Sequence, residues 1–151
     1  MDIRIERVSA ASQEIVDAFG RLLPQLSSTA VPLDRAAVDR LVTGDATVLL
    51  VARAPEGIVG TLTLALLPLP SGLRGRVEDV VVDAAARGRG VAARLIEEAG
   101  RIAAEAGART VDLTSRPERA AANRLYERLG FRARQSTVYR LIPGETRSTG
   151  A

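Results

Sequence analysis

Residues 77–92 read VEDVVVDAAARGRGVA, from Val77 to Ala92, and this stretch decides the fold. Val77–Val82 is rich in β-branched residues, which predicts a strand, and the glycines after it lead into a helical pattern of apolar residues. The N–H groups of a helix's first turn have no acceptors within the helix, and the helix dipole favours an anion beside them. The stretch therefore predicts a strand–loop–helix unit whose loop suits a pyrophosphate.

The glycine pattern of this loop allows two interpretations. Gly88 and Gly90 remove side chains from the path of a ligand, and Arg87 and Arg89 add positive charge beside it. The same glycines would serve equally well in a tight strand-to-helix turn that binds nothing. The loop is neither a Walker loop, which needs Gly-Lys-Ser/Thr, nor a full dinucleotide fingerprint, since Ala93 occupies the place of the third glycine.

The remaining sequence predicts further strands and helices of an α/β domain. After the strand of Val77–Val82 we expect a helix over Gly88–Ala106 and a strand over Arg109–Thr114, parallel to the first strand. A helix that opens at Pro117 and one or two closing strands within Phe131–Leu141 should follow. The first half predicts a strand at Ile3–Ile5, a helix over Ile15–Leu26, a short helix capped by Asp34, strands over Thr47–Arg53 and Ile58–Leu67, and a loop over Pro68–Gly75.

Length and composition favour one soluble domain. A chain of 151 residues can bury one core, and it holds no apolar run long enough to span a membrane. We expect a single domain over residues 1–142 and a polar, disordered tail over residues 143–151. Because the N-terminal residues lack an apolar leader, the expected location is the cytoplasm.

The charge and the missing residue types exclude several classes of function. The formal net charge is only +3 and the cations are spread along the chain, which argues against nucleic acid as a partner. There is no Cys and no His, which excludes thiolate nucleophiles, imidazole bases and nearly all zinc sites. We therefore expect no metal, and any proton transfer must use carboxylates, Tyr, the backbone or water.

Two motifs together resemble the signatures of the GNAT superfamily of acyl-CoA N-acyltransferases. Arg87-x-x-Gly90-x-Ala92 is similar to that family's Q/R-x-x-G-x-G/A signature. One departure is Ala84–Ala86, which replaces the Pro-x-Tyr that commonly precedes the family's arginine. The replacement consists of small residues that preserve the turn, so we regard it as neutral for cofactor binding.

The second motif begins at Asn123 and ends at Phe131. It is similar to the family's N-x-x-x-Y-x-x-x-G-F hallmark, here with Tyr126 three residues after Asn123 and five before Phe131. The two motifs lie at the family's usual separation. The resemblance extends from about Ile3 to Leu141, and its first half matches only in the order of elements.

The resemblance implies a fold and a cofactor. The fold is a single α/β domain with a mixed, mostly antiparallel sheet of six or seven strands, about four flanking helices, and fourth and fifth strands that splay apart. The cofactor is acetyl-CoA as cosubstrate, with its pyrophosphate on the glycine loop, its pantetheine arm along the preceding strand, and a contact from the later asparagine. The cofactor-binding residues that it implies are Val80, Val81, Val82, Arg87, Gly88, Arg89, Gly90, Val91, Ala92 and Asn123.

The resemblance also implies transfer of an acetyl group to a primary amine by direct attack. Tyr126 would be the general acid for the leaving thiolate, and Glu78 is the preferred base. Asp79 is the alternative base, because strand alternation lets only one of these neighbours face the substrate. Competing interpretations are an ion pair of Glu78 or Asp79 with Arg74 or Arg76, and a core position for Tyr126.

The resemblance and the composition together set the expected partners. The acceptor is a small-molecule or peptide amine that the sequence does not identify, and a homodimer is expected because many relatives dimerise. Neither a membrane nor nucleic acid is expected as a partner. The rival classes are a catalytically inactive CoA-binding regulator and a basic nucleic-acid-binding domain.

Overall fold

A five-stranded sheet is the centre of the fold. The computed structural model describes residues 2–145, and within them the strands lie in the order β1–β2–β3–β4–β5. Neighbouring strands pair antiparallel except β4 and β5, which are parallel as predicted. The mixed, mostly antiparallel α/β fold is confirmed, but the expected six or seven strands are wrong. The strands are β1 (Arg4–Arg7), β2 (Thr47–Ala54), β3 (Gly57–Leu69), β4 (Gly72–Val82) and β5 (Thr110–Asp112).

The C-terminal segment accounts for the difference in strand number. Residues 131–142 form neither strand nor helix, although apolar and polar residues alternate over much of this range. An alternating pattern becomes a strand only where the edge of another strand pairs with it. Val138 and Tyr139 are instead 70% and 90% exposed. The predicted tail over residues 143–151 lies mostly outside the described residues.

Four α-helices flank the sheet within residues 2–145, which agrees with the predicted number. Two begin at caps that the sequence supplies: the side chain of Ser12 accepts from the N–H of Ile15, and Asp34, the predicted cap, accepts from Ala37 at 2.8 Å. The helices are α1 (Gln13–Leu26), α2 (Arg35–Thr43), α3 (Val91–Glu105) and α4 (Ala120–Arg128).

The region predicted as a loop over Pro68–Gly75 is a tight hairpin instead. β3 continues to Leu69 and β4 begins at Gly72, so only two residues connect the strands. Gly72 has a φ of 117°, and a Cβ there would lie 2.6 Å from the side chain of Arg109. The Pro and Gly residues of this region therefore serve a sharp turn, which makes β4 eleven residues long.

Each face of the sheet carries its own apolar cluster. One cluster packs α3 on the sheet and includes the fully buried Leu62 and Leu95. The other packs α1 and α2 on the opposite face and includes Leu22 and Val38. No helix among the described residues is long and apolar enough to cross a membrane. β4 contributes residues to both clusters, so it is held from both sides.

Candidate active site

β4 and β5 separate after only three paired positions. β4 pairs with β5 at Arg74, Gly75 and Arg76, whereas its pairing with β3 continues to Val82. The edge of Val77–Val82 that faces away from β3 therefore has no partner strand among residues 2–145. Such an edge offers backbone N–H and C=O groups to an extended ligand. We call the divergence between Val77–Val82 and the segment 113–117 the fork.

A β-bulge interrupts β4 beside the fork. Thr63 of β3 pairs with Glu78, and Thr61 pairs with Val81. Between these two pairs β3 has one residue and β4 has two, the first of which is Asp79. Asp79 has a φ of 51° and is the only non-glycine residue in the described range with a positive φ. Asp is one of the few residues that tolerate this left-handed conformation.

The bulge changes which residues of β4 face each side of the sheet. Regular alternation would place Val77 and Val81 on the same face. Val77 instead belongs to the cluster under α3, and Val81 belongs to the cluster under α1 and α2. Strict alternation along this part of β4, from which only one of Glu78 and Asp79 was expected to face the substrate, therefore does not hold. Glu78 lies on the face of Val81, because their β3 partners are two residues apart.

The loop after β4 presents glycines in conformations that few other residues adopt. Gly88 and Gly90 have φ values of 81° and 74°. Gly90 is the N-cap of α3, so the helix begins at Val91 and not at Gly88 as predicted. A Cβ added at either glycine would meet no heavy atom within 4 Å. The glycines are thus required by the backbone, and the space beside them is open.

The backbone of this loop has free hydrogen-bond donors. None of the N–H groups from Gly88 to Ala93 donates to another of residues 2–145; the first that does is Arg94, which donates to Gly90 at 3.2 Å. These donors lie at the N-terminus of a 15-residue helix, whose dipole adds positive potential. The loop therefore fits an anion such as a pyrophosphate.

The two arginines of the loop have different surroundings. Arg89 Nη1 lies 3.0 and 3.2 Å from the carboxylate oxygens of Glu56, in the turn between β2 and β3. This hydrogen-bonded ion pair holds the pKa of Glu56 below its ordinary value of 4.5. Arg87 is exposed at the start of the loop. Arg89 therefore ties the loop to the sheet, and Arg87 is the arginine that faces solvent.

Glu78 forms the ion pair that was one of its competing interpretations. Arg76 Nε donates to Glu78 Oε1 at 2.5 Å, and both side chains remain partly exposed. Asp79 forms no salt bridge within residues 2–145. Partial desolvation, and after it the charge of Glu78, raises the pKa of Asp79 above its ordinary value of 3.8. A shift in this direction favours the role of a general base.

Asn123 lies at the first turns of α4 and bonds to the chain beyond β5. Its Oδ1 accepts from Ser115 Oγ at 2.5 Å, and its Nδ2 donates to the carbonyl oxygen of Arg116 at 3.0 Å. Both ends of the side-chain amide are therefore engaged by protein groups. The predicted pantetheine contact of Asn123 stays a prediction, and its observed contact is with the wall of the fork.

Tyr126 lies one turn after Asn123 on α4. Its ring is partly buried against the cluster under α3 and meets Phe131 edge-on, with ring centroids 6.1 Å apart. Its hydroxyl makes no hydrogen bond with the other described residues, and no buried polar side-chain atom among them is left unsatisfied. The ring thus packs while the hydroxyl stays available.

Three contacts at the site were not found by sequence reasoning. Gln25, at the end of α1, accepts from the N–H of Ala84 at 2.9 Å, and Asp83 accepts from Ala85 at 3.1 Å. Arg76 Nη2 donates to Thr114 Oγ1 at 2.6 Å across the fork. Asp83 had a local signal, because it precedes the helical turn Ala84–Ala86 as a capping residue. The other two join residues distant in sequence, for which no local signal exists.

An open strand edge that leads into an anion-binding helix N-terminus defines a class of α/β domains. Such a site suits a ligand that has both an extended arm and an anionic group. No group of three or more acidic, His or Cys side chains that could hold a metal ion occurs in the described part of the chain.

Comparison with known proteins identifies the family within this class. The acetyltransferase (GNAT) family profile matches residues 14–131, a range that contains the fork, the loop and α4. The chain therefore belongs to the GNAT acetyltransferase family. It is an N-acetyltransferase, and the comparisons leave its acceptor unidentified.

Individual relatives share both sequence and fold. The "Probable glucosamine 6-phosphate N-acetyltransferase 2" of Oryza sativa subsp. japonica is 39% identical over 140 residues, which cover 85% of this chain and 81% of the relative. A Trypanosoma brucei acetyltransferase structure is 29% identical with a TM-score of 0.77, covering 93% of this chain and 100% of that one. An aminoglycoside acetyltransferase from an uncultured soil metagenomic sample has a TM-score of 0.80 at 20% identity, covering 95% and 97% of the two chains. The similarity to the aminoglycoside acetyltransferase concerns the fold alone.

Proposed function

We propose that the chain transfers an acetyl group from acetyl-CoA to a primary amine by direct attack on the thioester. The observation that carries this proposal is the fork followed by the free N–H groups of Gly88–Ala93. In this proposal the backbone of Val80, Val81 and Val82 pairs with the pantetheine arm, and residues 87–92 bind the pyrophosphate. Acetyl-CoA supplies an activated acetyl group, and no Cys is present to form a covalent intermediate.

A base at the fork is needed because a protonated amine cannot attack a thioester. Arg76 engages Glu78, the base preferred from the sequence, whereas Asp79 at the bulge has a raised pKa. We therefore propose Asp79 as the group that accepts the amine proton, directly or through water, with Glu78 as the competing candidate. The N–H of Val81 or Val82 is the proposed donor to the oxyanion.

Tyr126 is the proposed proton donor to the departing thiolate. A phenol is protonated at neutral pH, and the hydroxyl of Tyr126 is not engaged by another described residue. Its ring is held by Phe131, which limits the freedom of the hydroxyl. These contacts support a fixed donor, as general acid catalysis requires.

The acceptor that we propose to test first is glucosamine 6-phosphate. The support is the Oryza sativa relative, whose name states this substrate and whose 39% identity covers most of both chains. The experiment is a thiol-release assay with acetyl-CoA and matched amines: glucosamine 6-phosphate, glucosamine, an aminoglycoside and a peptide with a free N-terminus. Release with the phosphorylated sugar alone supports the assignment, and release with the others alone overturns it.

The same assay separates the rival classes. An inactive CoA-binding regulator would show stabilisation by CoA without thiol release for any amine, and preserved CoA binding in variants of Asp79 and Tyr126. A nucleic-acid-binding domain would instead bind DNA with a steep salt dependence. Thiol release that needs an amine contradicts both.

We also propose that the protein is a homodimer. The support is a run of exposed apolar residues after α4, namely Val138, Tyr139, Leu141 and Ile142. Light scattering on the full chain tests this proposal, and a mass of one chain at micromolar concentration contradicts it.

A further inference from the structure

Arg76 occupies the last position at which β4 and β5 are paired. Its partner in the register is Asp112, the final residue of β5. From this position the guanidinium group reaches forward on both arms of the fork. It donates through Nε to Glu78 on β4 and through Nη2 to Thr114 on the segment after β5. Arg76 thus joins the two arms just beyond the point where their backbones separate.

The segment after β5 is joined on its other side to α4. Ser115 and Arg116 bond to the side-chain amide of Asn123 at 2.5 and 3.0 Å. A continuous chain of contacts therefore runs from β4 to α4 through Arg76, Thr114, Ser115 and Asn123. We call these four residues the fork network.

The fork network matters because the apolar packing of this part of the chain is only partial. β5 has only three paired residues, and residues 113–116 have no regular secondary structure. α4 contains no fully buried residue, so its packing on the α3 side is partial. Side-chain hydrogen bonds therefore contribute more to fixing the position of α4 than to fixing the positions of the other helices.

We propose that Arg76 and Asn123 are positioning residues that set the distance between Tyr126 and the open edge of β4. Tyr126 lies three residues after Asn123, on the same side of α4. A displacement of the segment 113–116 therefore moves Tyr126 relative to β4. This inference rests on the proposed function, since it presumes that Tyr126 acts on a ligand at the fork.

The sharpest probe is Thr114→Val, which removes one hydroxyl at nearly constant volume. A double-mutant cycle with Tyr126→Phe measures whether the fork network acts through Tyr126. We expect Thr114→Val to lower kcat by about tenfold when Tyr126 is present, because small misplacements of catalytic groups are costly, and by less than about twofold in the Tyr126→Phe background. The KM for acetyl-CoA should change little. Equal losses in both backgrounds would overturn the positioning role.

Amide hydrogen exchange supplies a readout without cofactor or turnover. Thr114→Val and Asn123→Ala should raise exchange in residues 113–128 by about tenfold or more, with α1 and α3 unaffected. The control is Arg74→Gln, which removes an arginine two residues earlier on the same face of β4 and should leave exchange unchanged. Unaltered exchange in Thr114→Val and Asn123→Ala would contradict the inference. Exchange can rise as expected in the variants while the wild-type protein releases no thiol with any amine. In that case the proposed function is wrong, and the fork network still fixes the position of α4.

Discussion

At the residue scale, the proposed chemistry depends on two side chains from different elements. Asp79 sits at a bulge whose left-handed backbone it tolerates, and Tyr126 projects from a helix that packs only partly. Sequence motifs singled out Tyr126 and the glycines as candidates, since their residue types and spacing carry the signal. The sequence offered the ion pair of Glu78 with Arg76 only as a competing interpretation, because alternation puts both side chains on one face of β4 without saying whether they bond.

Asp79→Asn tests the base. The amide tolerates the same backbone conformation, so the variant should fold while turnover falls by roughly a hundredfold. In the wild type, kcat/KM should fall as pH drops through the raised pKa of Asp79, because a protonated carboxyl accepts no proton. The Asp79→Asn variant should not show this dependence of kcat/KM on pH. A larger loss of turnover in Glu78→Gln than in Asp79→Asn would return the role to Glu78.

Tyr126→Phe tests the acid. The change removes a hydroxyl that bonds to no other described residue and leaves the contact with Phe131 in place. Turnover should fall by roughly tenfold to a thousandfold, while CoA raises the melting temperature as in the wild type. If turnover per folded molecule is unaltered and only stability falls, Tyr126 is a packing residue.

At the scale of elements, the apolar patterns predicted where the helices and strands lie. The residues at which these elements begin and end depend on contacts in the folded structure. The helix and strand on either side of the loop follow the pattern of residues 77–106. The hairpin at Gly72 was missed, because Pro and Gly indicate a turn without giving its length. The strands predicted within residues 131–141 need a pairing edge, which alternation alone does not supply.

Gly60→Ala tests the contact between β3 and the start of α3. A Cβ at Gly60 would lie 3.1 Å from Val91, 3.3 Å from the carbonyl oxygen of Val81 and 3.4 Å from Leu95. Val91 is the first residue of α3, so the clash should displace the free N–H groups of the loop. We expect a loss of about 1–3 kcal/mol in unfolding free energy and weaker CoA binding by calorimetry.

Gly100→Ala is the matched control within the same helix. No heavy atom lies within 4 Å of a Cβ at Gly100, in the interior of α3. This variant should gain about 0.5–1 kcal/mol, because alanine is the better helix former, with CoA binding unchanged. If both variants bind CoA with equal affinity, the packing at Gly60 does not position the loop, and this expectation is contradicted.

At the scale of the whole molecule, ion pairs link elements that are distant in sequence. Arg53 on β2 bonds to Glu6 of β1 at 2.7 Å and to Glu14 of α1 at 2.9 Å, which ties α1 to the first two strands of the sheet. Composition gave the small net charge but not this pairing, since the partners come together only when the sheet has formed. The family and the fold class, by contrast, were readable from two short motifs and the order of elements.

Acid should weaken the fold through these carboxylates. Hydrogen bonds from Arg53, Arg89 and Arg101 lower the pKa values of Glu14, Glu56 and Glu98 below 4.5. A lowered folded pKa gives stability above the unfolded pKa that is lost as pH falls through the folded value. The melting temperature should therefore fall as pH drops below about 4.5. Glu14→Gln should make the melting temperature less dependent on pH in this range, whereas Glu118→Gln should not. Identical curves of melting temperature against pH for the two variants would contradict the role of the ion pair.

Thermal denaturation with CoA tests the central claim most directly, with Gly90→Asp and Gly90→Asn as a matched pair. Both side chains tolerate the left-handed backbone at Gly90, but only Asp places a negative charge where the pyrophosphate is proposed to bind. At CoA near 100 times Kd, the wild type should gain about 2.7 kcal/mol, or about 5–10 °C for a domain of this size. Gly90→Asn should keep most of this shift and Gly90→Asp should lose it. No shift in the wild type, or a full shift in Gly90→Asp, would contradict cofactor binding at this loop.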